Sequence, residues 1–143
     1  MQLTSFVDLD TDEVEMPFTP TAAHMGFQNV IHGGILATVL DEAMVWAAIW
    51  KHKQFCLAGE ITVRFRKPAT VGQAMRVSAR VVSGRGRILI TTGQLVDGST
   101  IIAEATGKYV QVPGAQHAAF LASLIPETKS RESIRMLTSS AQT

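Results

Sequence analysis

The chain is short of the residues that mark several protein classes. One cysteine, Cys56, stands among 143 residues, so no intrachain disulfide can form and a disulfide-stapled scaffold is excluded. Aromatic residues make up only 6% and charged residues 17%, with 13 basic against 12 acidic side chains. A net charge of +1 does not supply the strongly basic face of a dedicated nucleic-acid binder. Met1 to Val7 holds no basic start followed by an apolar run, and acids follow at once, unlike a secretory signal. No repeat and no Pro- or Ser-rich linker divides the chain. These absences leave a single globular domain, 1–143, expected in a reducing, cytoplasmic setting.

What is present is apolar: 46% of the residues are hydrophobic. They concentrate in Gly33 to Trp50, which carries Asp41 and Glu42 at its middle. A carboxylate at a bilayer centre costs roughly 2.5–3.5 kcal/mol, so this run reads as a buried helix and not as a membrane span. Its apolar residues face every side, so something must wrap it. The segments that follow alternate apolar and polar residues: Glu60 to Arg66, Met75 to Val82, Arg87 to Val96 and Ile101 to Val112. Lys67-Pro68, Val71-Gly72, Ser83 to Gly86 and Asp97-Gly98 separate them. They are expected to form consecutive antiparallel hairpins curled around the helix, an α+β fold. A further strand is expected within Ser5 to Glu15, and a short helix over Gln116 to Leu124, before Pro126. Ser130 to Thr143 is polar enough to fray. One small sheet cannot enclose the helix, so a second copy is expected against its open face or an edge strand.

The charge is unevenly spread. Residues 1–15 hold Asp8, Asp10, Asp12, Glu13 and Glu15 and no base, which leaves 13 basic residues against 7 acids elsewhere, a net +6. That body can attract an anion.

The stretch from Asn29 to Ala43 carries the chemistry. Gly33 and Gly34 open the buried helix, so its free N–H groups can approach a ligand closely at the positive end of the helix dipole. Such an end is an anion or oxyanion site. Asp41 sits mid-helix in apolar surroundings, where a carboxylate is kept only if paired, hydrogen-bonded or used. Thr38 lies three residues earlier on nearly the same face. Gly33 and Asp41 are about 12 Å apart along the axis, too far to reach one carbonyl from one helix. Two antiparallel helices in a homodimer can set Gly33 of one chain opposite Asp41 of the other, giving two equivalent sites.

Asn29 to Ala48, with Ile61 to Pro68 and Ala103 to Gly107, resembles the hot-dog fold thioesterases of the PaaI-like and 4-hydroxybenzoyl-CoA thioesterase superfamily. The similarity covers roughly 15–113, the hot-dog core in which a curled antiparallel sheet wraps a long central helix; 114–143 is then a C-terminal extension, partly helical or frayed. The resemblance implies hydrolysis of an acyl-CoA thioester, without a metal or other cofactor, in a dimer or a tetramer of two dimers. By position, the Gly33 N–H polarises the thioester carbonyl, Asp41 of the neighbouring chain attacks it or activates water, and His32 shapes the loop. Many relatives place Asn or Gln six residues before the His, where this chain has Gly26, so Gln28 or Asn29 has to substitute. Many also place Thr or Ser where Ala58 stands.

Arg64, Arg66 and Lys67, with Arg85 and Arg87, can hold the CoA phosphates by charge-assisted hydrogen bonds, or simply solvate a strand face and a turn. Trp46, Trp50 and Met44 can line an acyl pocket or serve as plain core. His24, His52 and His117 show no metal-ligand spacing, and Cys56 has no partner for nucleophilic work. Two other readings compete: a non-catalytic acyl-CoA binding or regulatory module, consistent with Gly26 and Ala58, and a hot-dog dehydratase, suggested by Glu42-Ala43-Met44.

Overall fold

The computed structural model of the chain describes residues 3–123. The expected helix is α1, Gly33–His52, long and apolar enough by length and composition to cross a membrane. Here it lies on a sheet instead. Leu36, Val39, Leu40, Ala43, Met44, Ala47, Ala48 and Ile49 are buried against that sheet, while Ile35, Val45, Trp46 and Trp50 stay half-buried. The described residues therefore cover the helix along a stripe and leave its other side partly open.

The sheet consists of β1 (Phe6–Val7), β2 (Val14–Phe18), β5 (Cys56–Phe65), β6 (Met75–Arg85), β7 (Ile88–Asp97) and β8 (Thr100–Gln111). Its spatial order is β1-β2-β6-β7-β8-β5, antiparallel throughout. A small separate hairpin, β3 (Met25–Phe27) and β4 (Val30–Ile31), precedes the helix. A last helix, α2 (Gly114–Ala122), follows the sheet. The expected end of that helix at Leu124, and the tail from Ser130, lie outside the described residues.

Three expectations need correction. First, the strands are not all consecutive hairpins: β5 pairs with β8 at the far edge, and β6 takes β2 as its other neighbour. Pro68 ends β5, and the connection is pinned away from the edge. Arg66 and Lys67 donate their N–H groups to the Ile102 carbonyl, Thr70 bridges to Val30, and Gly72 donates to Pro20. Second, β6 continues through Ser83 and Gly84 to Arg85, because a bulge between Val81 and Ser83 shifts its register. The turn shrinks to Gly86-Arg87, with Gly86 at φ 61°, a conformation glycine adopts without cost. Third, the strand expected within Ser5 to Glu15 is present as β1, Phe6–Val7, but it is short, and most of the acidic run after it is a turn. Asp8 Oδ1 accepts the N–H groups of Asp10 and Thr11, the local bonding Asp offers a turn, and Val14–Phe18 supplies the strand that pairs with β6.

The helix sits close to the sheet because small residues face it. Ala79, Ala103 and Ala105 are buried there, and a Cβ added at Gly93 would lie 3.2 Å from Met44 Cγ and 3.4 Å from Leu40 Cδ2. At the other end of the core, His117 of α2 is 2% exposed and its Nδ1 accepts the Phe55 N–H at 3.1 Å, which ties α2 to the start of β5. Overpacking a closely packed core typically costs about 1–3 kcal/mol. Gly93→Val should lower the unfolding free energy in urea by that amount, and a variant as stable as the parent would show that the helix can rise from the sheet without loss.

Candidate active site

The helix start can be accounted for donor by donor. An α-helix opens with orphan N–H groups. In α1, His32 is the N-cap, and its Nδ1 accepts the Gly34 N–H at 2.8 Å. Its carbonyl accepts the Ile35 N–H at 2.9 Å and the Leu36 N–H at 3.4 Å. Gly33 alone keeps a first-turn N–H without an acceptor among the described residues. With Nδ1 as acceptor, a neutral His32 carries its proton on Nε2 and presents it outward.

The two glycines have different reasons to be there. A Cβ added at Gly34 would meet His32 Nδ1 at 2.8 Å, so a side chain there would push the cap away. Gly33 is overlaid by the Phe65 ring, which would come to 3.3 Å of an added Cβ. Phe65, Ile31, Leu36, Pro68 and Ala69 line a pocket of about 260 Å³ beside this N–H, with Arg66 and Lys67 at its rim. Gly33 itself lines this largely apolar pocket, so its N–H lies at the pocket wall. Gly26 lies on the other side of His32, where an added Cβ would come within 3.1 to 3.2 Å of the backbone and ring. The position without a polar side chain is therefore the one on which His32 rests.

Further along the helix, Asp41 is half-buried, and its Oδ1 accepts the Tyr109 hydroxyl at 2.6 Å. Tyr109 is the only tyrosine of the chain and is fully buried in β8. Burial first, then the hydrogen bond and charge of Asp41, and last the charge of Glu42, push its phenol well above the ordinary tyrosine range. The folded protein so keeps a proton that the unfolded chain gives up near pH 10, and stability falls as pH rises above that. Glu42 points elsewhere, with Oε1 accepting the Trp46 Nε1–H at 2.9 Å.

The remaining predicted residues do not all converge. Thr38 is exposed and donates to the Gly34 carbonyl at 2.8 Å, a bond within its own helix. Gln28 and Asn29 form the exposed tip of the β3–β4 hairpin, Asn29 at φ 58°. Arg66 is paired with Glu104. Arg64 points to the other face of the sheet, into a groove of about 720 Å³ shared with Ser78, Arg80, Gln94, Glu104 and Thr106. Arg87 donates to the Gln111 carbonyl at 3.0 Å, and Arg85 is exposed beside it. Their hairpin lies level with Leu57, whereas Gly33 lies level with Phe65. Eight strand residues, about 26 Å, separate the two levels within one chain. Burial pushes the Cys56 thiol up to about 11, so it stays protonated and is no nucleophile.

The sequence model of the thioesterase superfamily matches residues 28–103, a span that contains the helix start, Asp41 and the Phe65 pocket. The chain belongs to that superfamily. A curated relative, an uncharacterized protein of Schizosaccharomyces pombe, is 26% identical over 100 residues, 66% of this chain and 57% of its own length. The chain therefore spans little more than half of that relative. Among solved structures, the PaaI protein of the Escherichia coli phenylacetic acid degradation operon is similar at TM-score 0.71 and 20% identity, over 78% of this chain and 80% of its own. Conserved protein PA5202 of Pseudomonas aeruginosa gives TM-score 0.69 and 22% identity, over 77% and 88%. Protein smu.793 of Streptococcus mutans, solved with acetyl CoA bound, gives TM-score 0.71 and 13% identity, over 78% and 90%. At these identities the likeness establishes the hot-dog fold of the superfamily.

Tyr109 and Phe65 are the site residues that sequence reasoning overlooked. Tyr109 had a signal: it falls on the inward face of a strand that alternates Ala103, Ala105, Gly107, Tyr109, and a buried phenol needs a partner. Phe65 had none beyond alternation. Asp41→Asn removes a charge that holds the Tyr109 proton, so the phenol should ionise at lower pH in the variant. An ultraviolet pH titration reads this tyrosine alone, and coincident curves would show that Asp41 does not act on it.

Proposed function

We propose that the protein hydrolyses an acyl-CoA thioester to the free acid and CoA. The Gly33 N–H, which has no acceptor among the described residues and belongs to a residue lining the apolar Phe65 pocket, carries this reading. The thioester carbonyl oxygen sits on that N–H and gains negative charge as the carbonyl carbon is attacked, which the N–H and the helix dipole stabilise. Asp41 is the base that takes a proton from the attacking water, or the carboxylate that attacks to give a mixed anhydride, which water then hydrolyses to restore the carboxylate. The C–S bond breaks, the CoA sulfur leaves as a thiolate that then takes a proton, and the oxygen of water ends in the acid.

About 12 Å of helix separates Gly33 from Asp41, so each site takes Gly33 from one chain and Asp41 from a second. Strand β5 supports such a pairing: it is an edge of the sheet and exposes Leu57 and Phe65. An antiparallel pair also brings the Arg85–Arg87 hairpin of one chain towards the Phe65 level of the other, so that the expected phosphate-binding arginines gather from both. The +6 body suits a CoA phosphate. The binding-module reading draws on Gly26 and Ala58, which offer no polar side chain; stabilisation by acyl-CoAs without thiol release would favour it.

A panel of short, medium and aryl acyl-CoAs, read by free-thiol release, tests the activity. Gly33→Pro is the sharp variant: proline is accepted at the first helical position, fits after the extended His32 (φ −60°, ψ 131°) and removes the N–H. Because an added Cβ also comes to 3.3 Å of Phe65, Gly33→Ala, which keeps the N–H, is measured beside it and should retain most of the turnover. In Gly33→Pro we expect turnover to fall about 10²- to 10³-fold, as for loss of an oxyanion donor, with the melting temperature nearly kept. Asp41→Asn should also be inactive, and mixing the two inactive variants should restore activity through hybrid dimers. No restoration in chains shown to exchange would place both groups in one chain.

A further inference from the structure

We propose that Tyr109 is a positioning residue of this reaction: its hydroxyl holds Oδ1 of Asp41 and leaves Oδ2 as the one oxygen free to act on the thioester or on water. The inference rests on the proposed role of Asp41. It begins from the 2.6 Å bond between the Tyr109 hydroxyl and Asp41 Oδ1, with the Asp41 carbonyl a further 3.4 Å neighbour of the same hydroxyl. The phenol reaches Asp41 from beneath the helix, from a strand and not from the helix itself. One short bond from a fixed strand restricts the side-chain rotation that a half-buried Asp otherwise keeps.

The surrounding chain makes room for this contact. A Cβ added at Gly107 would sit 2.5 Å from Tyr109 Cε2 and 3.2 Å from both Cζ and the hydroxyl, so no other residue fits beside the ring in this pose. Tyr109 is also the register partner of Ala58 across the β5–β8 pair. The other acid of the helix is kept apart, since Glu42 is bound to Trp46. Asp41 and Glu42, both of α1, are the charged groups acting on the phenol. With its pKa raised by burial and by Asp41, the hydroxyl keeps its proton at every working pH and stays a donor; no bond to hydrogen is made or broken at Tyr109.

The test uses full-length protein and the acyl-CoA of highest turnover in the panel. Tyr109→Phe keeps the ring and removes the donor. A hydrogen bond to a charged group corresponds to about 10- to 100-fold in rate, and we expect that loss in kcat with KM within about twofold and the melting temperature nearly kept. In an Asp41→Glu background, whose carboxylate is displaced by a methylene, the same change should cost less than about threefold, because coupled residues are not additive. A parent-like kcat in Tyr109→Phe, or an equal loss in both backgrounds, overturns the inference. Should Tyr109→Phe not fold, Gly107→Ala displaces the ring and should give the same split of kcat and KM; a parent-like kcat there counts against the role. Asp41→Asn, measured alongside, separates the two levels. If it is active, the role of Asp41 itself fails; if it is inactive while Tyr109→Phe is parent-like, only the role of Tyr109 does.

Discussion

The structure depends on how closely one apolar helix can lie on the sheet that covers it. The inner face of the sheet is built from small residues where the helix crosses, Ala79, Gly93, Ala103, Ala105 and Gly107, and from large ones around them. Larger residues under the helix would lift it, and every contact that orients its polar groups would lengthen. The reach of Tyr109 to Asp41 is an example: it spans the gap between strand and helix only because Gly107 leaves the ring its place. Close packing of this kind transmits position, because a dense interior has few ways to absorb a shift.

The same economy governs the helix start. His32 satisfies three of the first four donors, one through its ring and two through its carbonyl, so one residue both ends the β3–β4 hairpin and caps the helix. What it leaves over is a single N–H at Gly33, next to a pocket and a pair of cationic side chains. A capped helix with one donor spared is more useful than an uncapped one, since an uncapped end would bind water at several places and favour none.

Sequence patterning revealed the helix and the alternating strands and singled out Gly33 and Asp41 as candidates, because periodicity and buried charge are local properties. It failed where neighbours are decided at a distance. That β5 pairs with β8 depends on how Thr70 and Gly72 are tied to Val30 and Pro20, residues some forty to fifty positions upstream. The bulge at Val81–Ser83 overrode a turn signal of two glycines and a serine. For the site, the helix residues were legible and the strand residues were not. Tyr109 is 68 positions from Asp41, and Phe65 meets Gly33 only after the sheet has curled. The arginines read as one cluster by composition and proved to be on different faces and levels, two of them already bonded within the chain.

The edges of the sheet are unequal. One is β5, Cys56–Phe65, a long strand whose outer side has no neighbouring strand among the described residues; the other is β1, Phe6–Val7, two residues long and followed by an acidic turn. A sheet with two open edges can add copies without limit, head to tail, into a fibre. This one offers a single long edge among the described residues, since the two-residue β1 leaves little backbone for a further strand to pair with. The short border at β1, with its acidic turn, thus blunts a surface that in a longer strand would invite open-ended strand addition.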